Sequence, residues 1–220
     1  MISVGRRIVT HFNHFGIAQE QLHKIQGELN LPEHKLMQDV STRWNSTFYM
    51  LSRLLEQKRS IFLYLTDSNV SNLSAEQWEL LDQLLKLLQP FEEITKITSS
   101  GYSCISEVIP HVATLMRYCN KEETVKFTPK LHNVRLSMQQ GLNNRFAYLK
   151  DDKIFLLATI LDPRFKMNFF FDHLQMEKAR QYLLLEGLKT GFGGSSDEST
   201  HSSPIKKKRP EENPYTHSSF

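Results

Sequence analysis

Cysteine is nearly absent from this chain of 220 residues, which holds only Cys104 and Cys119. So sparse a pair cannot frame a disulfide-stapled fold, and a reducing compartment is expected. No uninterrupted apolar run approaches the ~20 residues needed to cross a bilayer. The opening Met1-Ile2-Ser3-Val4-Gly5-Arg6-Arg7 lacks the apolar stretch of a secretory signal. The sequence therefore predicts a soluble, intracellular protein with no membrane partner. Neither charge sign prevails: a formal net charge of +3 is too small to argue for nucleic-acid binding by itself. Lys206, Lys207, Lys208 and Arg209 supply four of the positive charges, and the remainder is close to neutral. Glycine and proline are few except near the end. What is present, 40% hydrophobic and 23% charged residues, is a globular composition with room for one ordinary domain and a tail.

The dominant pattern is helical. Ile8, Phe12 and Phe15, then Leu22, Ile25 and Leu29, recur at helical spacing and predict one or two helices broken around Gly16. After the breaker Asn30-Leu31-Pro32, residues 35–40 read as a short strand. That strand has no partner in the sequence, and an unpaired strand exposes its backbone groups. A helix is expected from about Ser46 to Leu65, capped by Asn45 or Ser46. Ser74-Ala75-Glu76-Gln77 forms a capping box that opens a helix apolar on more than one face, with Pro90 predicted to kink it. Further helices are expected from about Ile105 to Asn120, where Pro110 implies a bend or a late start, from Pro129 to Tyr148, from Asp151 to Leu161, and from His173 to Leu188. Beyond Gly187 the chain turns Gly-, Ser- and acid-rich. It cannot bury enough apolar area to offset its ordering entropy there, and disorder is expected.

One stretch stands apart, QDVSTRWNSTFYML at residues 38–51, which sets an Arg-Trp pair on the corner between an extended segment and a helix. It resembles the Arg-Trp signature of the hAT superfamily of DDE transposases, in particular the domesticated, transposase-derived proteins of the BED-type zinc finger group. The resemblance covers roughly residues 8–170. It includes Arg7-Ile8-Val9-Thr10-His11-Phe12-Asn13-His14, Leu87-Leu88-Gln89-Pro90-Phe91-Glu92-Glu93-Ile94-Thr95, Ser106-Glu107-Val108-Ile109-Pro110, and Leu156 to Lys166 around Asp162-Pro163-Arg164-Phe165.

The resemblance implies a mostly α fold: the helical insertion region of a hAT transposase, with one strand edge of a ribonuclease-H-like domain. On that reading residues 1–45 are the edge of the ribonuclease-H-like domain, 46–188 the helical insertion, and 189–220 a disordered basic and Ser-rich tail. The Cys-x2-Cys and His pair of a BED finger are not present. The family's catalytic acids and dimerisation segment are expected outside this stretch, so a middle piece of a longer protein is expected. Homodimerisation belongs to the full-length family only.

Several residues invite a chemical reading. Asp39 sits where a DDE enzyme could place a metal-binding carboxylate, but two-metal phosphoryl transfer needs a second acid on the same ion, and no partner strand is identifiable. A turn or cap carboxylate near Arg43 is the favoured role. By family resemblance Arg43 could contact a DNA phosphate and Trp44 stack on a flipped base. The favoured role for the pair is a junction between two subdomains, with Trp44 buried and Arg43 in a salt bridge or bonding carbonyls. His11 and His14 share a helix face, yet zinc needs two more ligands than the sequence brings near them. Cys104 and Cys119 read as buried small apolar residues or idle thiols.

Lys206, Lys207, Lys208 and Arg209, between Pro204 and Pro210, read as a nuclear-localisation signal for an import receptor, and phosphorylation of Ser202 or Ser203 would weaken that contact. The expected function is a non-catalytic, transposase-derived nuclear protein, DNA-associated in its full-length form, with no catalytic residues, metal or cofactor. A fragment of an active transposase and a helical interaction module without DNA binding are the alternatives.

Overall fold

The computed structural model describes residues 1–40, 42–120 and 127–191, with Trp44 described through its backbone. The chain divides into one unit, Met1–Leu183, and a second beginning at Leu184. The expected disordered tail and the basic run at 206–209 lie outside the described residues.

Helices carry the structure. α1 (Ile2–His14) and α2 (Gly16–Glu28) are separated at Phe15, whose extended backbone (φ −110°, ψ 106°) interrupts the ladder. α2 closes in a left-handed residue, Asn30, at φ 52°. There the Leu31 amide donates to the Gln26 carbonyl at 2.9 Å and the Asn30 amide to the Gly27 carbonyl at 3.1 Å, the Schellman pattern that satisfies orphaned carbonyls. Pro32 then keeps the chain from re-entering a helix.

The strand expected at 35–40 does not form, and no strand occurs among the described residues. The chain that leads into it, residues 32–34, is held by helix side chains. Gln26 and Gln57 are wholly buried and reach across to it: Gln57 Nε2 donates to the Pro32 carbonyl at 2.9 Å and Gln26 Nε2 to the His34 carbonyl at 3.0 Å. Gln26 Nε2 also lies 2.9 Å from Gln57 Oε1. Side-chain amides from helices thus satisfy these two carbonyls.

That clamp also explains a second departure from expectation. The helix predicted from 46 to 65 is two helices, α3 (Trp44–Glu56) and α4 (Lys58–Thr66), parted at Gln57 (φ −92°, ψ 13°). The Ser60 hydroxyl accompanies the break, 2.9 Å from the Gln57 carbonyl. Nor does Asn45 or Ser46 cap α3; the cap position is Arg43, with no side-chain cap bond.

α5 (Ala75–Thr98) opens with the predicted box: Ser74 Oγ accepts from the Gln77 amide at 3.2 Å, and Gln77 Oε1 accepts from the Ser74 amide at 3.1 Å. The helix continues through Pro90. Proline has no amide hydrogen to give the carbonyl four residues back, and the Tyr118 hydroxyl supplies the replacement, donating to the Lys86 carbonyl at 2.8 Å. Then come α6 (Val108–Asn120), α7 (Pro129–Arg145), α8 (Lys153–Leu161) and α9 (His173–Gly191). Pro110 lies in the first turn of α6, where a missing amide hydrogen costs nothing, so of the two expected outcomes the late start is found.

α1–α4 and the first half of α5 share one continuous core, with Ile8, Met50, Leu54, Ile61 and Leu81 fully buried. Gly5 lets α1 approach α3, since a Cβ there would stand 3.0 Å from Leu54 Cδ1. Past Pro90, Phe91 and Ile94 pack instead on Leu115, Cys119 and Leu142 of α6 and α7. A further cluster joins Ile109 and Val112 to Leu149, Leu156, Phe170 and Ala179. α5 is therefore the spine common to both halves. Among the described residues no helix is long and apolar enough to cross a membrane.

Candidate functional site

The Arg-Trp corner is built around Asp39. Its carboxylate is 1% exposed and lies 2.6 Å from Arg6 Nε of α1. Ser46 Oγ and Thr47 Oγ1, in the first turn of α3, stand 3.0 and 2.9 Å from Asp39 Oδ1. Burial pushes this carboxyl's pKa up, but the bonds from Arg6, Thr47 and Ser46 and the Arg6 charge outweigh it, and the net shift is downward. Ser46 is the pivot: its hydroxyl accepts from the Val40 amide at 2.9 Å and has the Val40 and Arg43 carbonyls at 2.8 and 2.6 Å. One proton serves those acceptors and Asp39, so the four groups are held about a single oxygen.

Asp39 makes no cap bond to α3; it bonds the Ser46 and Thr47 hydroxyls and pairs with Arg6. Arg43 is exposed, and its side chain has no partner among the described residues. The salt bridge considered for it is absent there. Trp44 is the first residue of α3. The structure thus places Arg43 and Trp44 at the mouth of a turn whose acid is already committed elsewhere. His11 joins a different cluster: its Nε2 lies 2.9 Å from the Tyr64 hydroxyl, and its ring packs against Phe12, Phe15 and Tyr64.

Two other conspicuous sequence strings meet in space. Arg164 Nη1 is 2.9 Å from Glu107 Oε1 and its Nη2 is 2.8 Å from Asp162 Oδ2. Ser106 Oγ donates to the same Asp162 oxygen at 2.8 Å, and Asp162 Oδ1 accepts the Arg164 amide at 3.0 Å. The Arg164 guanidinium holds the Asp162 carboxyl far below the usual carboxylate range, and Asp162 with Glu107 raises Arg164 further still. This lock ties the end of α8 to the 3-10 turn Ile105–Glu107. Glu107 Oε2 also accepts the Cys104 amide at 3.2 Å, so both its oxygens are engaged. Cys119 is buried, which pushes its thiol pKa up, whereas Cys104 is exposed.

Sequence reasoning missed Arg6 as the partner of Asp39 and Glu107 as the partner of Arg164. The first pair is 33 residues apart and the second 57. Only the local half of the second, Asp162 to Arg164 across Pro163, had a signal, as an Asp-initiated turn. Among the described residues no group of three His, Cys, Asp or Glu side chains is arranged to hold a metal ion.

These features define a helical domain held by ion-pair locks. Residues 1–87, which coincide with the continuous first core, match the ZBED1 RNase-like helical domain. The chain belongs to the hAT-transposase-derived, BED-type zinc finger group. It is 35% identical over 185 residues to human zinc finger BED domain-containing protein 4, covering 83% of this chain and 15% of that protein. It is 30% identical over 194 residues to human zinc finger BED domain-containing protein 6, covering 84% and 20%. It is also 27% identical over 154 residues to zinc finger BED domain-containing protein RICESLEEPER 1 of Oryza sativa subsp. japonica, covering 68% and 21%. The chain thus spans between 15% and 21% of these relatives' lengths. No solved structure matches it.

Proposed function

We propose that this chain is a non-catalytic module of a transposase-derived nuclear regulator, and that it meets DNA through the Arg-Trp corner. The observation that carries the reading is the division of labour at that corner. Asp39, the acid best placed for chemistry, is neutralised by Arg6, Ser46 and Thr47, while Arg43 is exposed and unpaired among the described residues. A free guanidinium beside a helix N-terminus suits a backbone phosphate, which positions a protein on a duplex without reading sequence. Lys206, Lys207, Lys208 and Arg209 supply the import signal on this reading, and the chain's likeness to zinc finger BED domain-containing proteins supports a DNA-associated role.

A salt titration of duplex-DNA binding tests it. Each phosphate contact contributes about −0.9 to the slope of log affinity against log salt. Arg43→Ala is expected to flatten that slope by about one contact, with little change in stability. Salt-independent retention, or a slope that Arg43→Ala leaves unchanged, contradicts the DNA reading. Changing Lys206, Lys207, Lys208 and Arg209 to alanine is expected to move the protein from nucleus to cytoplasm; a variant that stayed fully nuclear would remove the import role.

A further inference from the structure

Away from the corner, a cavity of about 290 Å³ opens between the last turns of α5, the 3-10 turn Ile105–Glu107 and α6. Ile94, Val108, Val112, Leu115 and Phe146 form its apolar wall, and its rim carries Thr98, Ser103, Cys104, Glu107 and His111. The rim's hydrogen-bonding capacity is largely committed. Both Glu107 oxygens are engaged, one by Arg164 and one by the Cys104 amide. The Cys104 thiol is directed to the Tyr102 carbonyl at 3.5 Å.

His111 is the exception. Its Nδ1 lies 3.3 Å from Thr98 Oγ1, and that hydroxyl gives its single proton to the Ile94 carbonyl at 2.7 Å. The imidazole must therefore donate from Nδ1, which leaves Nε2 an acceptor with no partner among the described residues. Burial lowers the His111 pKa against a smaller opposing pull from Glu107, which keeps the ring neutral and the acceptor open at physiological pH. An apolar wall with one oriented acceptor is the usual composition of a small-molecule site, and the volume suits a single ring system.

We propose that this cavity binds a small neutral aromatic molecule carrying one hydrogen-bond donor, a phenol or an indole, with the ring against Val112, Leu115 and Phe146 and the donor on His111 Nε2. The apolar body gains from leaving water, and the donor meets the open acceptor at the rim.

Phenol and toluene are the probes, titrated separately into the full chain with its histidine nitrogens followed by NMR. Phenol is expected to bind saturably and shift the His111 Nε2 resonance, about threefold or more tighter than toluene, the worth of one net hydrogen bond. His111→Leu should abolish that preference while toluene still binds. Ser103→Trp, on the exposed rim and outside the core, should block both probes. Equal affinities for the two probes in the unaltered protein would overturn the role of His111. Absence of saturable binding, or binding that Ser103→Trp leaves intact, would overturn the site itself.

Discussion

The two halves that α5 joins are built on different terms. Before Pro90 the described residues form one cluster of fifteen buried apolar side chains. Beyond it they form two smaller clusters, of six and of three. The first half holds its irregular segment with buried amides, Gln26 and Gln57, and a buried hydroxyl, Ser60. The second does the same with buried Gln175, whose Nε2 donates to the Leu149 carbonyl at 3.0 Å, and adds charged locks at its surface, Arg164 with Glu107 and Asp162, and Lys178 with Asp151. It also contains the 290 Å³ cavity and an open groove of about 570 Å³ along α7, lined by Phe91, Val134, Met138 and Leu142. The family match falls on residues 1–87, the half with the continuous core. The contrast teaches that the first half rests on one continuous core and the second on smaller clusters beside open space, so the two should respond differently to cavity mutations.

The largest separation between the halves should come from truncating core leucines. Leu81→Ala, in a fully buried position of the first core, is expected to cost about 3–5 kcal/mol in urea denaturation. Leu142→Ala beside the open groove should cost about 2 kcal/mol or less, because the site is already partly vacant. Equal costs would dissolve the contrast. Next in size is the amide clamp. Gln57→Leu strands the Pro32 carbonyl and the Gln26 amide in a buried setting, a loss of about 2–3 kcal/mol, and it should raise proteolytic cleavage within residues 31–40. Smaller again is the bond that joins the halves at Pro90. Tyr118→Phe should cost about 1 kcal/mol, yet less in a Pro90→Ala background, where the backbone amide can serve Lys86 itself. An additive double-mutant cycle would show that the hydroxyl does not replace the missing amide.

The mildest effect is the dependence on pH. Asp39 and Asp162 both have depressed pKa values in the folded protein. Their contribution is fully present above the ordinary carboxylate pKa of about 3.9 and falls away as pH drops below it toward the folded values, because the unfolded chain then binds more protons. Thermal melts between pH 6 and pH 3 should show that decline, and Asp162→Asn should flatten it. A melting temperature indifferent to pH across that window would argue against both locks.

How much of this was legible in the sequence follows from the range of each interaction. The helices were, because apolar spacing and the Ser74–Gln77 box are local signals, and the Schellman close at Asn30 was foreshadowed by Asn30-Leu31-Pro32. The strand at 35–40 was misread because extended backbone looks alike with or without a partner strand, and what holds the chain leading into it is remote: Gln57 is 25 residues from the Pro32 carbonyl it binds. The break at Gln57 carries no glycine or proline to announce it; a buried side-chain clamp causes it. At the corner Asp39 stood out, but its partner on another helix was not readable.

The central claim is that Asp39 clamps α1 to the start of α3. A double-mutant cycle of Arg6→Ala and Asp39→Asn, read by urea denaturation, tests it most directly. A pair with one partner half exposed should show a coupling of about 0.5–1 kcal/mol, each single variant destabilising the protein. Zero coupling, with Asp39→Asn as stable as the parent or more so, would contradict the account, because a carboxylate that holds the two helices together cannot lose its charge without cost.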